Sequence, residues 1–376
     1  MAKQAEAVRV RRNPQGPVVA VVGAASGPGR GIAAGLAART DVRRVVAIDS
    51  ERGDLEGVTW RVLDQTDPAI VTRFDGCDTV VHAGVRTGLG GERQPGKGRS
   101  QPGGARPAPA GGNLRGAQTV LTAAAAAGVG RVVVITSAMV YGAHADNPMP
   151  LDDDAPLRAT ADGGMISELL DIEALCATAP STHPGMAVTV VRPAALVGPG
   201  IDTVLTRHFE APRLMVVRGS RPAWQFCHVD DLVSALELVV MEDLDGPVTV
   251  GCEGWLNQHE VEALSGRASI ELPESVAFGA VTRMHRLGIT PVPASELRYV
   301  TYPWAVASER IRKAGWRPEY DNATALEALL DEVAGRHAVA SRRIGRKETA
   351  ATIGAAGAAA AVIGTAAAVR RARRRK

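Results

Sequence analysis

The chain has 376 residues, of which 45% are hydrophobic and 22% charged, with a formal net charge of +3. That balance excludes a disordered or fibrous protein and suffices for one large α/β core, or a core with a smaller lobe. Six of the positive charges sit in the last seven residues, RRARRRK, so the body is near neutral and carries no nucleic-acid-binding footprint.

In chain order, residues 1–17 lack the apolar core of a secretory signal and read as a flexible N-terminus. VVAVVG (18–23) reads as a buried strand and GIAAGLAAR (31–39) as a helix. VVAID (45–49), VTWRVLD (58–64) and DTVVHAG (78–84) are the next strands. Residues 86–112 hold nine glycines and four prolines and almost nothing that packs, so they form a flexible insertion, either a tolerated surface loop or a lid. NLRGAQTVLTAAAAAG (113–128) is a helix, RVVVITS (131–137) a strand, residues 165–178 a helix, and VTVVRP (188–193) a strand.

Near-continuous Val/Ile runs indicate strands covered on both faces, hence a parallel sheet. Strand–helix alternation makes the fold class α/β, a Rossmann-type doubly wound sheet. The division expected is residues 18–193 for the dinucleotide-binding domain, 194–335 for a C-terminal lobe interleaved with it, and 336–376 for a basic, alanine-rich tail. In the tail, residues 352–369 are uncharged and flanked by arginines. The run is short and weakly apolar for a membrane span, so contact with a membrane surface is weighed against an exposed helix or coil. Four scattered cysteines without ligand spacing imply reduced thiols, a cytoplasmic location and no metal site.

GAASGPGRG (23–31) follows a strand and opens a helix, the context in which a glycine pattern becomes a dinucleotide signal. Gly23 allows the tight turn; Gly27 and Gly29, with Ser26 between the turn and the helix, let backbone approach a pyrophosphate. Asp49 ends the second strand, where a carboxylate accepts hydrogen bonds from ribose hydroxyls and repels a 2′-phosphate. The cofactor expected is therefore NAD, with NADP less favoured; Arg52 nearby blurs the preference. Asp64 ends the third strand and either lies near the adenine or caps a turn.

These stretches, with VVHAG (80–84), ITSAMVYG (135–142), VVRPAALVGPG (190–200), FCHVDDLVSAL (226–236) and GWRPEY (315–320), resemble the extended short-chain dehydrogenases/reductases of the NAD-dependent epimerase/dehydratase type over residues 18–335. The glycine spacing is nearer that of the shorter, classical members. The resemblance implies a catalytic Ser/Thr, Tyr and Lys. Ser137 matches the serine; Asn113 would support the sheet and a bound water. The helix MISELLDIE (165–173), aligned on Glu173, puts Met165 at the tyrosine and Leu169 at the lysine. No tyrosine lies between Tyr141 and Tyr299, so no register restores the pair. Substitute acids considered are His144, Ser167, Glu168 and Asp152 to Asp154.

Tyr141 reads as packing at the mouth of the site, His228 as an organiser of the second lobe, and Asp230 and Asp231 as helix caps. Arg192, Arg213, Arg218 and Arg221 could meet an anionic, nucleotide-sugar-like substrate or simply be solvated, and Trp224 and Trp304 line a pocket or fill core. Two functions remain open: an epimerase/dehydratase-type oxidoreductase acting on hydroxyl or carbonyl substrates with a non-standard acid/base, or a non-catalytic NAD(H)-sensing regulator or scaffold like the NmrA-like proteins, acting on a protein partner. Family members often dimerise through the helices corresponding to 113–128 and 165–178, so a homodimer is expected.

Overall fold

Val18–Val22 forms β1, and all five residues are buried. Val19 and Val21 pack into one core, Val18, Ala20 and Val22 into another. A strand covered on both faces must be apolar throughout, which is why its sequence does not alternate. The computed structural model describes residues 16–85, 112–242, 244–288, 290 and 293–336, with the backbone of 338–339 and 342–343. The insertion at 86–112, apart from Gly112, and most of the tail lie outside these residues.

After β1 come α1 (Gly27–Ala38), β2 (Arg44–Asp49), β3 (Thr59–Val62), β4 (Thr79–His82), α2 (Gly112–Ala126), β5 (Arg131–Ile135), α3 (Met165–Thr182) and β6 (Ala187–Pro193). The remainder holds β7 (Ala195–Val197), α4 (Val204–His208), β8 (Leu214–Val217), β9 (Phe226–His228), α5 (Val229–Met241), β10 (Gly246–Val250), α6 (Gln258–Ser265), β11 (Ser269–Leu272), α7 (Glu274–Arg286), α8 (Glu309–Lys313) and α9 (Asn322–Glu332). Three short 3-10 turns cover Pro68–Arg73, Ala138–Tyr141 and Ala294–Val300.

The main sheet has the order β10-β6-β5-β4-β1-β2-β3 with every pairing parallel, the doubly wound arrangement expected from the alternation. Residues of α2 and α3 bury their apolar sides in one core. Residues of α1 and α5 bury theirs in the other, which continues into the C-terminal segments. α5 lies close on α1, with Val233 and Glu237 against Gly31 and Gly35. Residues 248–250, read from sequence as second lobe, are instead the edge strand beside β6.

The junction of the two parts is polar and buried. Glu173 on α3 accepts from Arg192 Nε (2.9 Å) and Nη2 (2.7 Å) and from the Thr136 hydroxyl (2.7 Å). Arg192 Nη1 also donates to the Tyr141 hydroxyl at 2.8 Å, which in turn donates to the Asp153 carbonyl. Tyr141 is fully buried and not at the mouth of a site, and burial pushes its phenol up to about 12. The Asp153 carboxylate accepts from the Thr249 amide and hydroxyl and from the Arg310 amide, tying this loop to β10 and α8. Asp230 and Asp231 do not cap α5. The His228 ring does, accepting from the Asp230 amide, while Asp231 accepts from the amides of Glu319 and Tyr320. Both tryptophans left open by the sequence are core: Trp224 donates to Gln258 and Trp304 to the Tyr299 carbonyl. Among the described residues no helix is long and apolar enough to cross a membrane.

Candidate functional site

The loop from β1 to α1 is shaped by two close approaches. Gly23 has φ +86°, and a Cβ there would stand 2.7 Å from Gly84, just past the end of β4. A Cβ on Gly29 would stand 2.0 Å from the Gly23 carbonyl oxygen. The helix can therefore start directly above the strand only because both are glycine. At the tip the situation reverses: a Cβ on Gly27 would meet nothing within 4 Å. Ser26 is the N-cap, but its side chain caps nothing, and no acidic residue occupies the first turn. The amides of Gly27 and Gly29 (Pro28 has none) and the positive end of the α1 dipole are thus left without a side-chain cap beside the open space at Gly27, the arrangement that binds a phosphate.

Asp49 is half-buried at the C-terminal end of β2, beside this loop. Its Oδ2 accepts from the Ala25 amide at 2.9 Å and its Oδ1 from the Ser50 amide at 2.7 Å. It fixes the loop and still presents lone pairs outward. Asp64 takes the turn role: its Oδ1 accepts from the Thr66 amide (2.8 Å) and hydroxyl (2.6 Å). Arg30 lies near the same end but pairs with Asp54 at 3.1 Å, both side chains exposed.

Sequence reasoning passed over Gln65. Its side chain lies against Gly84 and Gly116 and closes the gap between β4 and α2, with its Oε1 buried and unbonded. Its neighbour His82 is fully buried, accepts from the Gly84 amide on Nδ1, and is pushed down to about 4 by burial, so it is a neutral imidazole at pH 7.

The second half of the site lies past β5. Ser137 caps the 138–141 turn, its oxygen accepting from the Met139 amide at 3.2 Å, while its hydroxyl proton is given to no described residue. α3 begins at Met165 with no side-chain cap on Gly164. Met165 is half-buried and Leu169 fully buried, so neither position offers a proton or a charge. Asn113 is buried at the start of α2, and its amide donates to Glu168 Oε2 at 3.3 Å.

His144 accepts from Arg298 on Nδ1 (3.1 Å) and donates from Nε2 to the Arg158 carbonyl (3.0 Å), since a guanidinium only donates. It latches two loops together with both ring nitrogens engaged. Of the four arginines that could meet an anionic substrate, Arg192 is held by Glu173, Arg213 is exposed, and Arg218 lies 3.9 Å from Glu271. Arg221 lines a cleft of 620 Å³ with Trp255, His259 and Tyr302. Among the described residues no cluster of His, Cys, Asp or Glu is placed to hold a metal.

The chain is similar to several known proteins. Residues 19–250 match the NAD dependent epimerase/dehydratase family. Uncharacterized proteins of Mycobacterium tuberculosis and Mycobacterium bovis are 28% identical over 341 residues, covering 86% of this chain and 85% of theirs. Among solved structures, the UDP-glucose 4-epimerase of Thermus thermophilus in complex with NAD superposes with a TM-score of 0.60 at 17% identity, covering 85% of this chain and 99% of that one. The Bordetella bronchiseptica enzyme WbmH, in complex with NAD+, gives 0.58 at 18% identity, covering 85% and 98%.

Proposed function

Because the chain belongs to the NAD dependent epimerase/dehydratase family, we propose that it binds NAD and acts on a substrate hydroxyl or carbonyl as an epimerase/dehydratase-type oxidoreductase. The observation that carries this reading is the uncapped N-terminus of α1, open at Gly27 and flanked by Asp49. The first-turn amides would hold the pyrophosphate. Asp49 would accept from the adenine ribose hydroxyls and repel a 2′-phosphate, and Arg30, paired with Asp54, does not offset that repulsion. When bound, the cofactor supplies a hydride acceptor and donor at its nicotinamide ring. Ser137, with an uncommitted hydroxyl proton, would orient the substrate oxygen. UDP-sugars, named for several structural neighbours, are the first substrates to try.

The test is a fluorescence titration with NADH, with NADPH as competitor, on wild type and Asp49→Asn. Asparagine keeps an acceptor for the Ala25 amide and removes only the charge. The expected result is tight NADH binding in wild type and a narrowed preference over NADPH in the variant. Binding of neither nucleotide would sink the cofactor assignment. Met165 and Leu169, at the positions of the family's tyrosine and lysine, favour a second reading: an NAD(H)-responsive regulator or scaffold. It requires NADH binding without turnover across hydroxyl and carbonyl substrates, and a partner whose binding depends on the nucleotide.

A further inference from the structure

The 294–300 turn lies across the start of α3 and the 138–141 turn together. The Ser295 hydroxyl donates to the Asp162 carboxylate, just ahead of α3. The Tyr299 hydroxyl donates to the Met139 carbonyl at 2.6 Å, and Arg298 Nε to the Ala143 carbonyl at 3.1 Å. Side chains three apart on a 3-10 turn eclipse one another, so Glu296 and Tyr299 share one side. Glu296 is 5% exposed, and its carboxyl takes no hydrogen bond from any described residue. Its Oε1 is 3.8 Å from the place a Cβ would take on Gly164, the uncapped residue that opens the 18-residue α3. A carboxyl on a residue 5% exposed, with no hydrogen bond from a described residue and its oxygens not fully shut off from solvent, therefore stands at the first turn of the helix where Met165 and Leu169 offer no acid and Glu168 accepts from the Asn113 amide.

We propose that Glu296 is the proton-transferring group of this site, reaching it from the C-terminal part of the chain. The proposal rests on the NAD-dependent reading above. In the oxidative direction the substrate O–H proton passes to the Glu296 carboxylate. The electron pair of the adjacent C–H bond leaves as hydride to the oxidised nicotinamide, and a carbonyl forms. In the reverse direction the protonated Glu296 returns its proton to the oxygen as hydride comes back to carbon. Burial, and then the charge of Asp162, push this carboxyl up to about 7. A group already near neutrality needs no cation to tune it, whereas a phenol near 10 does. The joint absence of the tyrosine and the lysine is then one change, not two.

The charge that acts on Glu296 is Asp162 ahead of α3; on its own turn Glu296 acts on Tyr299, while Arg298 is engaged by the Ala143 carbonyl and His144. α4 and α7 also pack on this turn. α4 carries Arg207, paired with Asp202, and His208, stacked on Trp224; α7 carries Glu274, which accepts from the Tyr302 hydroxyl, and Arg283, His285 and Arg286 in its last turn.

The experiment needs no substrate. The affinities of NAD and of NADH are measured on the full-length protein from pH 5.5 to 8.5, for wild type and Glu296→Gln. The positive oxidised ring, placed beside Glu296, favours the carboxylate, whereas the neutral reduced ring does not. NAD binding should therefore tighten with pH roughly tenfold more than NADH binding does, one unit of coupled pKa shift. Glu296→Gln should bind both nucleotides with no such difference. If both bind and the difference is missing in wild type, or survives in Glu296→Gln, Glu296 does not face the ring and the proposal is overturned. If neither nucleotide binds, it is the cofactor reading that fails, and this proposal with it.

Discussion

Arg192 shows what one residue can be committed to. It gives two hydrogen bonds to Glu173 and one to Tyr141, with the pair 8% and 3% exposed. Losing one partner strands the other charge in a dry interior, which costs about 3–5 kcal/mol. Arg192→Met should lower the urea midpoint strongly, and adding Glu173→Leu should recover much of the loss. Simple additivity of the two single losses would refute a coupled pair. Gly29 makes a second residue-scale case. An added Cβ would overlap the Gly23 carbonyl, so Gly29→Ala should cost about 1–3 kcal/mol of stability and weaken NADH binding. Binding and stability at wild-type levels would contradict the close approach. Gly23, Gly29 and Asp49 were legible because strand, glycine spacing and carboxylate distance form a pattern along the chain. Arg192 was legible only as a charge, since its partner is 19 residues away on another element.

Among the elements, the 294–300 turn was the least legible. Three residues per turn give a short segment no apolar period to detect, and ASELRYV reads as ordinary surface. Its burial depends on where α3 and the 138–141 turn lie, which no local pattern encodes. The raised carboxyl has a consequence for stability. Glu296 moves from an ordinary 4.5 to about 7 on folding, so between those values the folded state holds a proton that the unfolded chain releases. The stability this contributes is complete below pH 4.5 and is lost as pH rises through 7. The total is about 3 kcal/mol at 1.36 per unit. Urea midpoints measured from pH 5 to 8 should therefore fall more steeply for wild type than for Glu296→Gln. Parallel curves would show that the carboxyl titrates normally. The helices and strands of the first half were read within a few residues, because buried parallel strands and amphipathic helices have periods. The cap of α5 was misassigned because Asp230 is the commoner capping type, while the His228 ring is already in place.

For the molecule as a whole, the dinucleotide fold is not complete at residue 193. β10 supplies the seventh strand, α5 covers α1, and Glu237 reaches Arg39 at 3.6 Å. A fragment of residues 16–193 would expose the β6 edge and the apolar side of α1. It should lack the near-ultraviolet signal of a packed core and should not bind NADH. A well-folded, NADH-binding fragment would show that the later segments are accessory. The full chain should gain about 2.7 kcal/mol of stability with NADH at a hundred times its Kd, read as a rise in Tm. The alternation that announced the sheet stops at β6, and a lone strand after a long excursion carries no topological label, so the seventh strand was assigned elsewhere.

The late arrival of β10 also sets a timetable for synthesis. Its last residue, Val250, lies 57 positions beyond the end of β6 at Pro193. At about 5–20 residues per second, translating that interval takes roughly 3–11 s. Throughout it the nascent sheet presents β6 as an open parallel edge of seven residues, all of them buried in the finished protein. Slowing translation between codons 193 and 250 should therefore raise the aggregated fraction, and crowding by chaperones should matter most in that interval.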